Sequence, residues 1–160
     1  MAVRNEHLVV IMIEPAPAGE FTVWPLHITI VPWFTVSEKT KLDEVLSKVA
    51  ARHEAFLVSA GRKEVFGKKD KLAVNLINDS GELHRLHWEV FHSLEKNGFL
   101  VHQKTHLGEK YKPHVTHQGK KHLKENEELV IDRFSLVRQV RQKKTGRMIK
   151  KVVKDYVLSA

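Results

Sequence analysis

Two tripeptides in this chain set an imidazole and a hydroxyl two residues apart: His27-Ile28-Thr29 and His114-Val115-Thr116. On a strand, side chains i and i+2 point to one face. Each tripeptide therefore offers an imidazole beside a hydroxyl, with Ile28 or Val115 turned the other way. None of the other nine histidines is followed two positions later by Ser or Thr. The chemistry that wants such a set is displacement at phosphorus. In-line attack puts the entering and leaving oxygens on opposite sides of the atom. One group must take a proton from the attacker, and another must give one to the leaver. Imidazole suits both tasks, because its pKa of about 6.5 lies near working pH. Two imidazoles on separate strands can flank a phosphate. Each threonine hydroxyl can donate to a non-bridging oxygen, where charge gathers in the transition state. His27 and His114 are thus the candidate acid and base, and Thr29 and Thr116 the candidate phosphate ligands. Four such groups make a metal unnecessary, and no cofactor is expected.

The tripeptide alone is a weak signal. With eleven histidines and fourteen Ser and Thr in 160 residues, about one match is expected by chance. Three features strengthen it. Both copies have an apolar middle residue, both follow a proline (Pro25, Pro113), and they stand 87 residues apart, one in each half of the chain.

The other candidates weigh less. His84 and His87 have an i, i+3 spacing known in metal sites. His87 falls within the stripe Leu83, Leu86, Val90 and Phe91, however, so a core or interface histidine with one satisfied nitrogen is the expectation. His102 and His106 flank Lys104 in an expected loop with only Glu109 as a nearby carboxylate, which does not favour a metal. His7 is expected to be exposed. Arg62, Lys63, Phe66, Gly67, Lys68 and Lys69 form an expected loop that could hold substrate phosphates or stack a base on Phe66, or simply be a solvated turn. Tyr111 and Lys112, beside His114, are expected at the mouth of the site. Trp24 and Trp33 flank the first tripeptide. Either could stack a nucleobase for about 1–3 kcal/mol, although core packing suits at least one of them.

The elements that must carry these groups follow from pattern. Leu8–Glu14 reads as a buried strand stopped by Pro15 and Pro17. His27–Phe34 reads as a strand interrupted by Pro32. Ser37 is the expected cap of an amphipathic helix over 38–53, with Leu42, Val45, Leu46 and Val49 on one side. A strand Ala55–Ala60 should end at Gly61, and the polar stretch Arg62–Asp70 should be a loop. Leu72–Ile77 is a further strand. Asn78-Asp79-Ser80-Gly81 opens a second helix that Asn97-Gly98 closes. Pro113–Gln118 is a strand. Val130–Arg141 and Met148–Leu158 make a hairpin around a Lys-Lys-Thr-Gly tip. No linker divides the chain, so residues 1–160 read as one α+β domain with helices on mostly antiparallel strands.

Charge is concentrated in that hairpin. The chain carries a net charge of +8. Nine basic residues and no acidic ones lie between Arg133 and Lys154, while the other 138 residues carry a net charge of −1. Such a segment attracts anions, nucleic acid first among them, or protects a strand edge from aggregation. Arg138 and Arg141 are the candidate contacts to an RNA backbone. With no cysteine, disulfides and thiolate nucleophiles are excluded. The longest early apolar run, Leu8 to Ile13, is too short for a membrane span or a signal-peptide core. A cytoplasmic monomer without membrane contact is the expectation.

The two tripeptides, each followed by a fourth position (Ile30 and His117), resemble the paired His-x-[Ser/Thr]-x motifs of the 2H phosphoesterase superfamily, which includes 2′-5′ RNA ligase-like proteins and cyclic phosphodiesterases. His27-Ile28-Thr29-Ile30 matches in full. His114-Val115-Thr116-His117 departs only at His117, which alternation turns away from His114. Glu64-Val65-Phe66-Gly67 and Tyr111-Lys112-Pro113-His114 are also similar to that family, and the resemblance spans roughly Leu8 to Leu158. It implies two pseudo-symmetric lobes about a central cleft, with helices packed outside. It also implies metal-free acid–base chemistry by the histidines on RNA-type phosphodiesters such as 2′,3′-cyclic phosphates or 2′-5′ linkages, with ligation as the reverse reaction. The alternatives are a nucleotide- or RNA-binding module with little turnover, and a histidine metalloprotein.

Overall fold

The structure is a computed structural model that describes residues 6–67, 71–102 and 107–159. The expectations for Lys68, Lys69, Lys104 and His106 lie outside the described residues. The chain forms β1 (Glu6–Met12), β2 (Glu20–Phe21), β3 (His27–Thr35), α1 (Lys39–Ala51), β4 (Phe56–Phe66), β5 (Leu72–Asn78) and α2 (Glu82–Lys96). A 3-10 turn (Gly108–Lys110) then leads to β6 (His114–Thr116), β7 (Glu128–Ile131), β8 (Arg133–Arg141) and β9 (Met148–Val157). Hydrogen bonds join the nine strands in the order β2-β9-β8-β1-β3-β6-β5-β4-β7, each neighbouring pair antiparallel. The fold is α+β, as the element pattern predicted.

Alternation along the central strands separates two faces. Ile28, Ile30 and Val115 are fully buried and share a core with Leu42, Leu46 and Val49 of α1 and Leu83, Leu86, Val90 and Leu94 of α2. Both helices thus cover the same face. Each fully buried aliphatic side chain there is worth about 1.5–3 kcal/mol. The opposite face carries a smaller cluster of Leu8, Val10, Phe21 and Val137, with Trp24 and Trp33 packed against it. His27 and Thr29 alternate onto this second face. The start of α2 is held by Asp79, whose carboxylate accepts the backbone N–H groups of Leu83 and His84 at 3.0 Å each. Gly81 supplies the left-handed turn there, at φ 112°.

Several expectations are corrected. Pro32 does not interrupt β3: two register shifts against β1 between His7 and Val10 spare it a ladder position. β4 does not stop at Gly61 but continues to Phe66, through a register shift between Ala60 and Lys63. Gly61 is needed there because a Cβ would lie 3.0 Å from the Leu76 carbonyl oxygen. The stretch Val130–Arg141 breaks at Asp132, so that β7 pairs with β4 while β8 pairs with β1 and β9. The α1 cap is Glu38, without a side-chain bond, not Ser37. His7 lies within β1 and is buried. Among the described residues no helix is long and apolar enough to cross a membrane.

Candidate active site

The site follows from one register. β3 and β6 pair antiparallel with Ile28 opposite Val115. That pairing sets His27 across from Thr116 and Thr29 across from His114. The four side chains occupy the corners of one patch, all partly exposed on the face opposite the helices. Directly opposed Cβ atoms lie about 4.5–5.5 Å apart and diagonal ones about 7–8 Å. The two histidines are the diagonal pair.

Both imidazoles are held in the same way. His27 Nδ1 donates to the Pro25 carbonyl oxygen at 2.8 Å, and His114 Nδ1 donates to the Lys112 carbonyl oxygen at 2.8 Å. A carbonyl can only accept, so each neutral ring carries its proton on Nδ1 and its lone pair on Nε2. Each histidine also meets an aromatic ring. Trp24 stacks on His27 with centroids 4.2 Å apart, and Phe66 meets His114 edge-on at 4.8 Å. Each aromatic carries a lysine: Lys150 Nζ lies 5.4 Å from the Trp24 ring, and Lys112 Nζ lies 5.3 Å from the Phe66 ring. The two tripeptides thus have like surroundings, a carbonyl, an aromatic and an ammonium repeated about each imidazole. The His27 pKa is pushed down by burial, against the Pro25 carbonyl, which pulls it up. The positive charges of His114 and Lys150 lower it further.

The remaining sequence candidates divide. Phe66 and Lys112 stand at the histidine patch, where Lys112 also pairs with Glu64 at 3.5 Å. Tyr111 does not line a mouth. It is buried, its ring stacks on His87 at 3.9 Å, and its hydroxyl donates to the Thr29 carbonyl oxygen at 2.8 Å. It positions β3 from the core side. His87 is a core histidine as expected, but both of its nitrogens, not one, are satisfied: Nδ1 donates to the Ile30 carbonyl oxygen at 2.6 Å and Nε2 accepts from Gly108 N–H at 2.9 Å. His117 turns away from the patch and donates from Nε2 to the side-chain amide oxygen, Oδ1, of the buried Asn75 at 3.0 Å, which accounts for a polar residue where the motif has an apolar one. Arg138 lies on the helix-covered side of β8. Arg141 stands at the hairpin tip, donating to the Gly146 carbonyl at 3.3 Å. Lys150 was not singled out in the sequence, where it is one of nine basic residues. Only the pairing of Lys150 with Gln139, and of β2 with β9, brings it to Trp24. Among the described residues no three His, Cys, Asp or Glu gather as metal ligands would.

A nine-stranded antiparallel sheet with two motif strands paired at its centre defines a class, the two-histidine proteins that the tripeptides resemble. The sequence profile of the 2′-5′ RNA ligase superfamily matches residues 15–143, and the chain belongs to that superfamily. Among solved structures, TT0787 of Thermus thermophilus is similar with a TM-score of 0.65 at 14% identity, over 96% of this chain and 97% of that one. E. coli LigT complexed with 3′-AMP has a TM-score of 0.65 at 14% identity, over 98% of this chain and 99% of LigT. No curated protein matches by sequence.

Proposed function

We propose that this protein is a metal-independent phosphoesterase that opens RNA-type phosphodiesters, 2′,3′-cyclic phosphates first among them, with His27 and His114 as base and acid. The observation that carries the reading is the Ile28–Val115 register, which makes the two motif histidines diagonal neighbours on one face. Superfamily membership supports it, and the similar LigT has been seen with 3′-AMP, a nucleotide. In the hydrolytic direction His27, held neutral by its lowered pKa, takes a proton from water at Nε2. The water oxygen bonds to phosphorus, and the bond from phosphorus to one ribose oxygen breaks. That oxygen takes the proton from Nε2 of protonated His114. Thr29 and Thr116 donate to the non-bridging oxygens. With the 5′-hydroxyl of a second strand in place of water, the same step joins it to the phosphorus as a 2′-5′ linkage, which is ligation.

The test is a panel of 2′,3′-cyclic nucleotides and 2′-5′-linked oligonucleotides. His27→Ala and His114→Ala should each lower turnover about 10²–10⁴-fold, and Thr29→Ala and Thr116→Ala about 10–10³-fold. A chelator should leave the rate unchanged. Binding without turnover would favour a nucleotide-binding module instead, and loss of activity with EDTA would sink the two-imidazole mechanism.

A further inference from the structure

The helix-covered side of the β8–β9 ribbon holds a second concentration of positive charge, away from the histidine patch. Four strands line up there in register: His7 opposite Arg138, Arg138 opposite Lys151, and Lys151 opposite Glu20. Arg138 and Lys151 are directly opposed cations. Like charges at such positions cost stability, and neither has an ion-pair partner among the described residues. With Lys39, Leu42 and Asp43 of α1, and with Leu136, Val152, Lys154 and Tyr156, this ladder walls a cavity of about 450 Å³, within the range of ligand pockets. Its two acids, Glu20 across from Lys151 and Asp43, offset its cations only in part. Asp43 is taken by Lys154 at 2.8 Å and by the Tyr156 hydroxyl at 2.9 Å. Glu20 makes no ion pair among the described residues.

The cations continue beyond the cavity. Arg141, Lys143, Lys144 and Arg147 lead to the hairpin tip, and no acidic residue lies between Arg133 and Lys154. Successive residues on β9 point to opposite faces, so Lys150 serves the histidine face and Lys151 this cavity. Beyond the two-residue β2 the side of β9 is an open edge. A line of cations passing around an edge suits a chain of phosphates better than a single anion.

We propose that the Arg138–Lys151 cavity is a second phosphate-binding site, filled by the backbone of an oligonucleotide whose reacting phosphate lies on the histidine face and whose strand turns around the β9 edge. The proposal rests on the phosphoesterase reading for the identity of the ligand and on the opposed Arg138 and Lys151, offset only in part by Glu20, for its location. That pair is kept at a cost to the fold, and a polyanion is what relieves it.

The experiment uses Arg138→Gln, Lys151→Gln and the double variant. Binding of a single-stranded RNA of about ten nucleotides is followed by anisotropy over a salt series, alongside turnover of a mononucleoside 2′,3′-cyclic phosphate and the Tm. The double variant should bind the oligonucleotide at least tenfold more weakly, with the salt slope reduced by about 1.4 for two lost phosphate contacts. Mononucleotide turnover should not change, and the Tm of Arg138→Gln should rise. Wild-type oligonucleotide affinity and slope in the double variant, alongside normal turnover, would overturn the second site alone. An equal loss in Lys48→Gln/Lys96→Gln would reduce the effect to net charge and overturn it as well. Loss of oligonucleotide binding by a chain that opens no cyclic phosphate would sink the enzymatic reading and leave the site standing.

Discussion

At the scale of single residues, the two histidines are held alike, and the surroundings of His27 bias its proton. Each donates from Nδ1 to a backbone carbonyl two residues earlier. His27 is half-buried against Trp24, with the ammonium of Lys150 close enough to disfavour its charged form. A general base must be neutral to act. If His27 is the base, activity should persist below pH 6.5 on the acid side, because the limb reports its lowered pKa. Removing a nearby positive charge makes protonation easier, so Lys150→Gln should move that limb toward higher pH. Lys150 thus acts through another group: it touches Trp24 and biases the His27 ring that meets the substrate. A pH–rate profile of kcat/KM for wild type and variant reads it directly, and a limb that stays fixed would remove Lys150 from the mechanism. The coupled pair titrates as a unit, so the limb belongs to the patch as much as to one ring.

At the scale of elements, the site depends on how β3 meets the lead-in to β6, and α2 joins them from beneath. His87 bonds Ile30 of β3 and Gly108 ahead of β6, and Tyr111 stacks on His87 while its hydroxyl bonds Thr29. Tyr111→Phe keeps the stack and deletes one bond, leaving the Thr29 carbonyl oxygen short of a donor. The expected cost is about 1–3 kcal/mol in denaturant unfolding. Turnover should fall, though less than with loss of a histidine, because Thr29 and His27 share the loosened strand. Unchanged stability would show that the bond carries nothing. These elements differ in how far they were legible. The helices announce themselves, because Leu42, Val45, Leu46 and Val49, and Leu83, Leu86, Val90 and Leu94, repeat at helical spacing and are all buried. The β4 extension was hidden, because Arg62–Phe66 is polar and follows a glycine. Its pairing with β5 outweighs its local preference. The break at Asp132 was hidden for a similar reason, since local pattern does not say that the chain leaves one side of the sheet for the other.

At the scale of the molecule, local pattern could propose that His27 and His114 converge, but only a contact between strands 87 residues apart could bring them together. The tripeptides were legible because alternation is local. The Trp24–Lys150 contact was not, because it depends on strands from opposite ends of the chain. The same architecture has a consequence for acid stability. Burial pushes down the pKa of both His27 and His87, on opposite faces of β3. Above about pH 6.5 both rings are neutral in the folded and unfolded states, and their contribution is complete. As the pH falls below that value, the unfolded chain takes up protons that the folded rings refuse, so stability is lost down to the folded pKa values. The slope is at most about 1.4 kcal/mol per pH unit for each histidine. The carboxylates with depressed pKa values, Glu14, Asp43 and Asp79, lose their contribution only near and below their ordinary range of about 4, so pH 7 to 5 isolates the histidines. Urea unfolding across that interval should show a falling free energy. His87→Gln, which keeps a donor and an acceptor but does not titrate, should make the fall shallower. A pH-independent free energy from 7 to 5 in the wild type would mean that the rings accept protons in place, and that the core around β3 is wetter than its packing indicates.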